Sequence, residues 1–263
     1  MKKIFFFDID GTLYNSQKEI PEKTKYAIQE LKHRGHEVAI ATGRAPFLFK
    51  KLREELGINT YIACNGQYVV VDGKIIYKDA IDEEVISSIT NFAIDRDHPM
   101  VYLSDEDMAT NTKSHAHVEA GLGSLKFGQG PIHDPQYFKG REIYQALLFC
   151  ERGEEVEYVK EFQNLDFLRW HPVSIDIMPK GGTKAKSVTR IQKYLGIKDE
   201  NMYAFGDGPN DFEMLDLVEN SVAMGNGVEE TKSVAKIVTD HVDEDGLYNA
   251  IIKMDLITEQ LNV

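Results

Sequence analysis

Cysteine is nearly absent: Cys64 and Cys150 are the only two in 263 residues. Both sit in apolar, strand-like runs, so they read as reduced core residues of a cytoplasmic protein rather than as a disulfide framework. Basic residues are in deficit, 30 Lys and Arg against 43 Asp and Glu, for a net charge of −13. That balance argues against nucleic-acid and membrane-surface binding, and an anionic ligand would need a locally positive patch. No apolar stretch approaches the length of a membrane span. Lys2-Lys3 ahead of residues 4–7 has the look of a secretion signal, but Asp8 cuts the apolar run to four residues, too short for that purpose. Internal repeats and low-complexity tracts are missing. No Gly-x-Gly-x-x-Gly follows the first apolar run, which speaks against a dinucleotide-binding domain. What is plentiful is apolar residue, 42% of the chain, enough to fill one large or two ordinary domains.

The stretch Ile4-Phe5-Phe6-Phe7-Asp8-Ile9-Asp10-Gly11-Thr12 organises the rest. Its short, aromatic and β-branched run reads as a buried strand. Alternate residues of a strand share a side, so Asp8 and Asp10 would project together from its end. Two adjacent carboxylates repel unless a cation lies between them, and hard oxygen ligands suit Mg2+. Residues 21–34 then show a helical pattern stopped by Gly35. Residues 38–41 form a second buried strand, ending in Thr42-Gly43-Arg44. A second helix with Phe47, Leu48, Leu52 and Leu56 on its apolar face follows, and residues 61–64 make a third strand ending in Asn65-Gly66. Strand, helix, strand, helix, strand is the pattern of a doubly wound parallel sheet, where ligands bind beyond the carboxyl ends of the strands. Asp8, Asp10, Thr42 and Asn65 all fall at such ends.

The pattern then changes. A hairpin turning on Asp72-Gly73 precedes a helix over 83–94. Residues 100–140 are poor in helical period, with Gly121, Gly123, Gly128, Gly130, Pro131 and Pro135 as breakers. Apolar runs at 144–150 and 173–178 flank a helical stretch at 154–162. From Lys180 the first pattern resumes. Thr183 caps a helix closed by Gly196, a strand over 201–205 ends in Gly206-Asp207-Gly208-Pro209-Asn210-Asp211, and a short helix covers 212–217. A strand over 221–224, a helix over 228–235, a short strand over 237–239 and a helix over 246–256 complete the chain. The fold class is α/β: a doubly wound parallel-sheet (Rossmann-like) core of residues 1–81 and 181–263, with an inserted α+β domain at 82–180.

Asp8-Ile9-Asp10-Gly11-Thr12, Thr42-Gly43-Arg44, Lys184 and Gly206–Asp211 occur in this order at strand ends or helix starts. Together they resemble the haloacid dehalogenase-like (HAD) phosphatases, and within them the Cof-type group with a large inserted cap of the C2B type. The resemblance covers essentially the whole chain. It implies that Asp8 is a nucleophile forming an aspartyl-phosphate and that Asp10 is the general acid and base. It also implies Mg2+ held by the Asp8 side chain, the Asp10 carbonyl and the Asp207 side chain. Thr42 and Lys184 would meet the phosphate, with the amides of Ile9 and Gly43 as further donors. Asn210 corresponds to a phosphate- or lysine-orienting residue and Asp211 to a carboxylate behind the lysine or the metal waters. Arg44 resembles a residue near the cap that touches substrate, and reads equally as a surface ion-pair residue.

The substrate so implied is a small phosphorylated metabolite, a sugar phosphate or cofactor-type phosphate, handled by a monomer or homodimer. A phosphotransferase of the phosphomutase type would use the same groups. A receiver-like signalling module shares the acidic pocket, threonine and lysine, but lacks the Asp-x-Asp-Gly-Thr strand end and the insertion. His115 and His117 have a metal-like spacing without a third ligand nearby and read as exposed or structural. Asn226, between two glycines, reads as a turn residue. Trp170, with His171 beside it, reads equally as surface, core or substrate wall.

Overall fold

β1 (Ile4–Phe7) lies in the middle of an eight-stranded sheet in the computed structural model, which describes residues 1–125 and 130–259. All four of its residues are fully buried. Removing a large apolar side chain from water stabilises by roughly 1.5–3 kcal/mol, so this strand is a firm base for the polar loop at its end. Next come α1 (Glu22–His33), β2 (Glu37–Ala41), α2 (Lys50–Leu56), β3 (Thr60–Ala63), β4 (Tyr68–Val71) and β5 (Lys74–Lys78). The middle of the chain holds α3 (Glu83–Ile94), β6 (Met100–Leu103), β7 (Met108–Thr110), α4 (Ala116–Ser124) and β8 (Ile132–His133). It continues with β9 (Gln145–Leu148), α5 (Glu155–Glu161), β10 (Leu165–His171) and β11 (Ser174–Pro179). The last part holds α6 (Lys184–Leu195), β12 (Met202–Gly206), α7 (Phe212–Leu217), β13 (Asn220–Ala223), α8 (Glu229–Val234), β14 (Ile237–Val238) and α9 (Gly246–Lys253). No helix among the described residues is long and apolar enough to cross a membrane. Gly128, one of the expected breakers, lies outside the described residues.

The chain divides into two units: Met1–Gly43 with Lys51–Ile76 and Thr183–Val263, and Arg44–Lys50 with Tyr77–Gly182. In the first, the strand order is β14-β13-β12-β1-β2-β3-β4-β5. The six strands from β14 to β3 run parallel, and β4 turns back antiparallel to β3. This is a Rossmann-like sheet whose winding reverses at β1, the position where such sheets bind ligands. Rings tie β1 to β12: Phe5 stacks on Tyr203 at 4.7 Å and Phe7 meets Phe205 at 4.8 Å. Asp72 and Gly73, at φ 47° and 75°, make the tight turn between β4 and β5.

Two local expectations change here. The second helix is shorter than its apolar pattern suggests. Pro46–Phe49 is a 3-10 turn, and α2 begins only at Lys50. Proline at the first position favours such a start, and three residues per turn bring Pro46 and Phe49 inward while Phe47 and Leu48 stay half-buried. The third strand stops at Ala63, before Cys64, because Cys64 and Asn65 enter the left-handed region at φ 49° and 52°.

The second unit is built on a six-stranded sheet of order β10-β11-β9-β6-β7-β8. Neighbours are antiparallel except β7 and β8. Ile86 and Ile89 of α3 and Tyr158 of α5 share one apolar core with Tyr102, Leu148 and Ile177 of the strands. Five elements were not among those expected: α4, β6, β7 and β8 within residues 100–140, and β10. α4 lies in the stretch read as lacking helix, with Gly121 and Gly123 inside it. A Cβ on Gly121 would stand 2.8 Å from the Phe149 ring, so this glycine permits close packing rather than breaking the helix. β10 is an edge strand, half-buried along nearly its whole length, and therefore carries no clear two-residue alternation.

Gly121→Ala tests this packing directly. Helix propensity alone would favour alanine by about 1 kcal/mol, but overpacking against a buried ring costs about 1–3 kcal/mol. Urea unfolding of the variant should show a lower midpoint than the parent. A raised midpoint would mean that α4 does not press on Phe149.

Candidate active site

At the carboxyl end of β1 the chain turns sharply, and Asp8 is buried there. Lys184, the first residue of α6, is 1% exposed, and its Nζ donates to Asp8 Oδ1 at 2.6 Å and to Asp211 Oδ1 at 2.7 Å. Thr183 puts it there by capping α6: its hydroxyl oxygen accepts the Lys186 amide. Asp211 is fully buried, and its Oδ2 accepts the amides of Asp207 and Gly208, both at 3.0 Å. One side chain thus folds the loop after β12 and anchors the lysine. Gly206 makes this possible, since a Cβ there would lie 2.5 Å from the Asp211 carboxyl carbon.

Asp207 sits across from Asp8. Its Oδ1 accepts the Thr12 hydroxyl at 3.1 Å, and Gly11, at φ +83°, leaves the space for it: a Cβ would fall 2.3 Å from Asp207 Oδ2. Asn226 locks the same corner. Its Nδ2 donates to the Gly11 carbonyl at 2.8 Å and to Asp207 Oδ2 at 3.4 Å, and its Oδ1 accepts the Val242 amide at 2.9 Å. Thr42, at the end of β2, is buried, and its carbonyl accepts the Asn65 amide at 3.1 Å. Asn65 in turn accepts from Asn210 Nδ2 at 3.1 Å, joining the β3 and β12 ends. Gly43 leaves room for Asn65, whose amide group would lie 3.0 Å from a Cβ.

The electrostatics follow from burial. Desolvation pushes the Asp8 carboxyl up to about 7; Lys184 opposes this, while Asp211 and Asp10 reinforce it. Desolvation, then the charges of Asp8 and Asp211, push Asp207 up to about 8 against the Thr12 hydrogen bond and Lys184. Burial alone would lower Lys184, but the charges of Asp211 and Asp8 outweigh it and hold the ammonium protonated, with its pKa raised. One buried cation therefore does not balance the local carboxylates.

Carboxylate oxygens of Asp8, Asp207 and Asp211 lie within 4.8 Å of one another, and this is the only such group of three metal-ligand side chains among the described residues. The donor set is all hard oxygen, which fits a cation of the Mg2+ type. Asp211 is already committed to Lys184 and two amides, so Asp8 and Asp207 are the carboxylates to face an ion. The Asp10 carboxylate is not in the group; Lys18 donates to its Oδ1 at 2.6 Å. Arg44 opens the Arg44–Lys50 segment that belongs to the second unit. His115 caps α4, its Nδ1 accepting the His117 amide at 3.1 Å. Trp170 is half-buried in β10, with its indole Nε1 buried and unpartnered.

The sequence of residues 5–251 matches the family described as haloacid dehalogenase-like hydrolase. The chain belongs to the haloacid dehalogenase-like hydrolases. This HAD-like hydrolase is 43% identical over 255 residues to YkrA of Bacillus subtilis, a protein provisionally named a phosphatase; the match covers 97% of this chain and 98% of that one. A crystal structure of a hypothetical protein from Geobacillus kaustophilus superposes with a TM-score of 0.93 at 45% identity, covering 98% of this chain and 100% of that one. BT4131, a solved sugar phosphatase of HAD subclass IIB, superposes with a TM-score of 0.86 at 31% identity, covering 97% of this chain and 100% of that one. The enzyme is a HAD-superfamily phosphatase, with a parallel-sheet core and a cap.

Three contributors were not legible as such in the sequence. Asn226 is a clamp on Gly11 and Asp207 rather than a turn residue only, Asn65 bridges to Asn210, and Lys18 meets Asp10. Each acts through a contact made on folding; for Asn226 and Asn65 the sequence signal available was an amide residue beside a glycine at a strand end, and Lys18 carried no such signal.

Removing Asp211 should expose the cost of the buried lysine. Lys184 would keep Asp8 as a partner but lose its second one, and the Asp207 and Gly208 amides would lose their acceptor; leaving such groups unsatisfied costs about 1–3 kcal/mol each. Urea unfolding of Asp211→Ala should show a loss of that size. An unchanged midpoint would contradict the anchoring role of Asp211.

Proposed function

We propose that this phosphatase is Mg2+-dependent, acts in the cytoplasm on small phosphorylated metabolites such as sugar phosphates or cofactor-type phosphates, and works through an aspartyl-phosphate on Asp8. The observation that carries the reading is the buried Lys184 ammonium, held at 2.6 Å from Asp8 at the reversal point of the sheet. A carboxylate so placed is oriented, desolvated and paired with a cation that an incoming phosphate can share. The name of BT4131 supports a sugar phosphate as the substrate class. The match to a hydrolase family over residues 5–251 favours this reading over a receiver-like module.

Asp8, Asp207 and the main-chain carbonyl of Asp10 would hold Mg2+. When bound, the ion supplies charge neutralisation that lets a carboxylate approach an anionic ester. The rest is done by the chain. Asp8 attacks phosphorus, the ester P–O bond breaks, and Asp10 gives its proton to the departing alcohol. Asp10 then takes a proton from water as that water attacks phosphorus, and the Asp8 carboxylate leaves. Thr42 donates its hydroxyl to a phosphoryl oxygen, and the amides of Ile9 and Gly43 add donors. Lys184 keeps its proton through both steps and offsets the charge on the phosphoryl group. Asn210 steadies the phosphate side of the site through Asn65, and Asp211 fixes Lys184.

Incubation with p-nitrophenyl phosphate and Mg2+ should release inorganic phosphate, and chelation followed by Mg2+ replacement should stop and restore it. Asp8→Asn should lower the rate on the order of 10⁴-fold, the scale of losing a covalent nucleophile. Activity retained by that variant, or untouched by chelation, would overturn the assignment. Isomerisation of a sugar phosphate in place of phosphate release would favour the phosphomutase reading.

A further inference from the structure

Lys18 has a left-handed backbone, at φ +64°. Glycine and asparagine take that conformation most readily, and a lysine there is strained. The loop that imposes it is closed by Asn15. Its Oδ1 accepts the amides of Gln17 at 3.0 Å and Glu19 at 2.9 Å, its carbonyl accepts the Lys18 amide at 3.0 Å, and its own amide donates to the Glu19 carbonyl at 2.9 Å. Turn chemistry alone would favour glycine or asparagine at position 18. The lysine present instead reaches back to Asp10, placing Nζ 2.6 Å from Oδ1. Strain held against a local preference, with the strained side chain on a reacting group, points to function rather than to the turn.

An ammonium has three donors and no acceptor. The Asp10 oxygen that faces Lys18 is thereby held as an acceptor, the role that a carbonyl or carboxylate oxygen fills better than a carboxyl hydroxyl, which favours the other oxygen, Oδ2, as the one that carries a proton. The contact also restrains a carboxyl torsion that is otherwise broad. We propose that Lys18 is a positioning residue that sets the Asp10 carboxyl so that Oδ2 handles the proton. In the first step the Oδ2–H bond breaks as the ester P–O bond breaks and the alcohol O–H bond forms. In the second a water O–H bond breaks and Oδ2–H is restored as the phosphoryl–Asp8 bond is cleaved. Lys18 itself exchanges no proton. The inference rests on the assignment of Asp10 as the proton shuttle.

The test compares the parent with Lys18→Met, Lys18→Asn, Lys18→Arg and Asp10→Asn on substituted phenyl phosphates, from p-nitro to p-methyl. The quantity read is kcat/KM, which covers steps through departure of the phenol. p-Nitrophenolate leaves with little help, whereas p-methylphenol needs a proton. Loss of orientation at the acid should cost Lys18→Met on the order of tenfold on p-methylphenyl phosphate and less than about threefold on p-nitrophenyl phosphate. Lys18→Asn relieves the turn strain, so it should show the same dependence with an unfolding midpoint equal to or above the parent's. Lys18→Arg should restore the parent's dependence. An equal loss across the series in both uncharged variants, with a steep dependence in Asp10→Asn, would overturn the Lys18 proposal and leave the phosphatase reading intact. A flat series in Asp10→Asn would overturn the shuttle assignment and this proposal with it.

Discussion

The site depends on one buried cation. The Lys184 ammonium is shut off from water between Asp8 at 2.6 Å and Asp211 at 2.7 Å. A lone ammonium in that position would be expelled or neutralised, and two lone carboxylates would repel each other. The three charges are tolerable only together, and each comes from a different part of the chain: the end of β1, the start of α6 and the loop after β12. The interaction therefore serves as a registry device for the sheet. It can form only when parallel strands far apart in sequence present their carboxyl ends at one level, which the pairing of Phe7 with Phe205 ensures.

The same arrangement leaves an unbalanced charge, and that imbalance is the functional feature. Asp8 and Asp207 are both pushed up toward neutrality or beyond, chiefly by burial and then by the charges around them. A site with more carboxylate than cation is poised to accept a positive ion, and with the ion in place it can accept an anionic ester. On a chain of net charge −13, neutralising the site locally in this way is what would let a phosphate approach. Asp211 is excluded from the exchange because its two oxygens are spent on Lys184 and two main-chain amides, so its role is mechanical.

Much of this was legible in the sequence because two periodicities are clean. The helical patterns of α1, α3 and α6 and the unbroken apolar runs of β1, β2 and β12 mark a parallel sheet, and short polar motifs at the run ends mark its ligand-binding edge. The motifs work as text because each is local: Asp8 and Asp10 are two apart on one strand end, and Asp207 to Asp211 is a single turn. Asn226 was unreadable because its partner Gly11 lies 215 residues away. Gly121 was misleading, since in the text a glycine in a helix looks like a break, whereas in three dimensions it is the absence of a Cβ against Phe149. Pro46 altered the helix start by replacing 3.6 residues per turn with three. Lys18 was unremarkable as a charged loop residue until its backbone angle and its contact with Asp10 were seen together.

In the proposed mechanism Asp8, and no other carboxylate of the cluster, takes the phosphoryl group. Trapping during turnover tests this most directly: the enzyme is quenched while hydrolysing p-nitrophenyl phosphate with Mg2+, the acyl-phosphate is reduced with borohydride, and the peptides are mapped by mass spectrometry. Reduction of an aspartyl-phosphate yields homoserine, which should be found at position 8 alone. Homoserine at position 10, 207 or 211 would contradict the mechanism, as would an unmodified Asp8 in an enzyme caught mid-turnover.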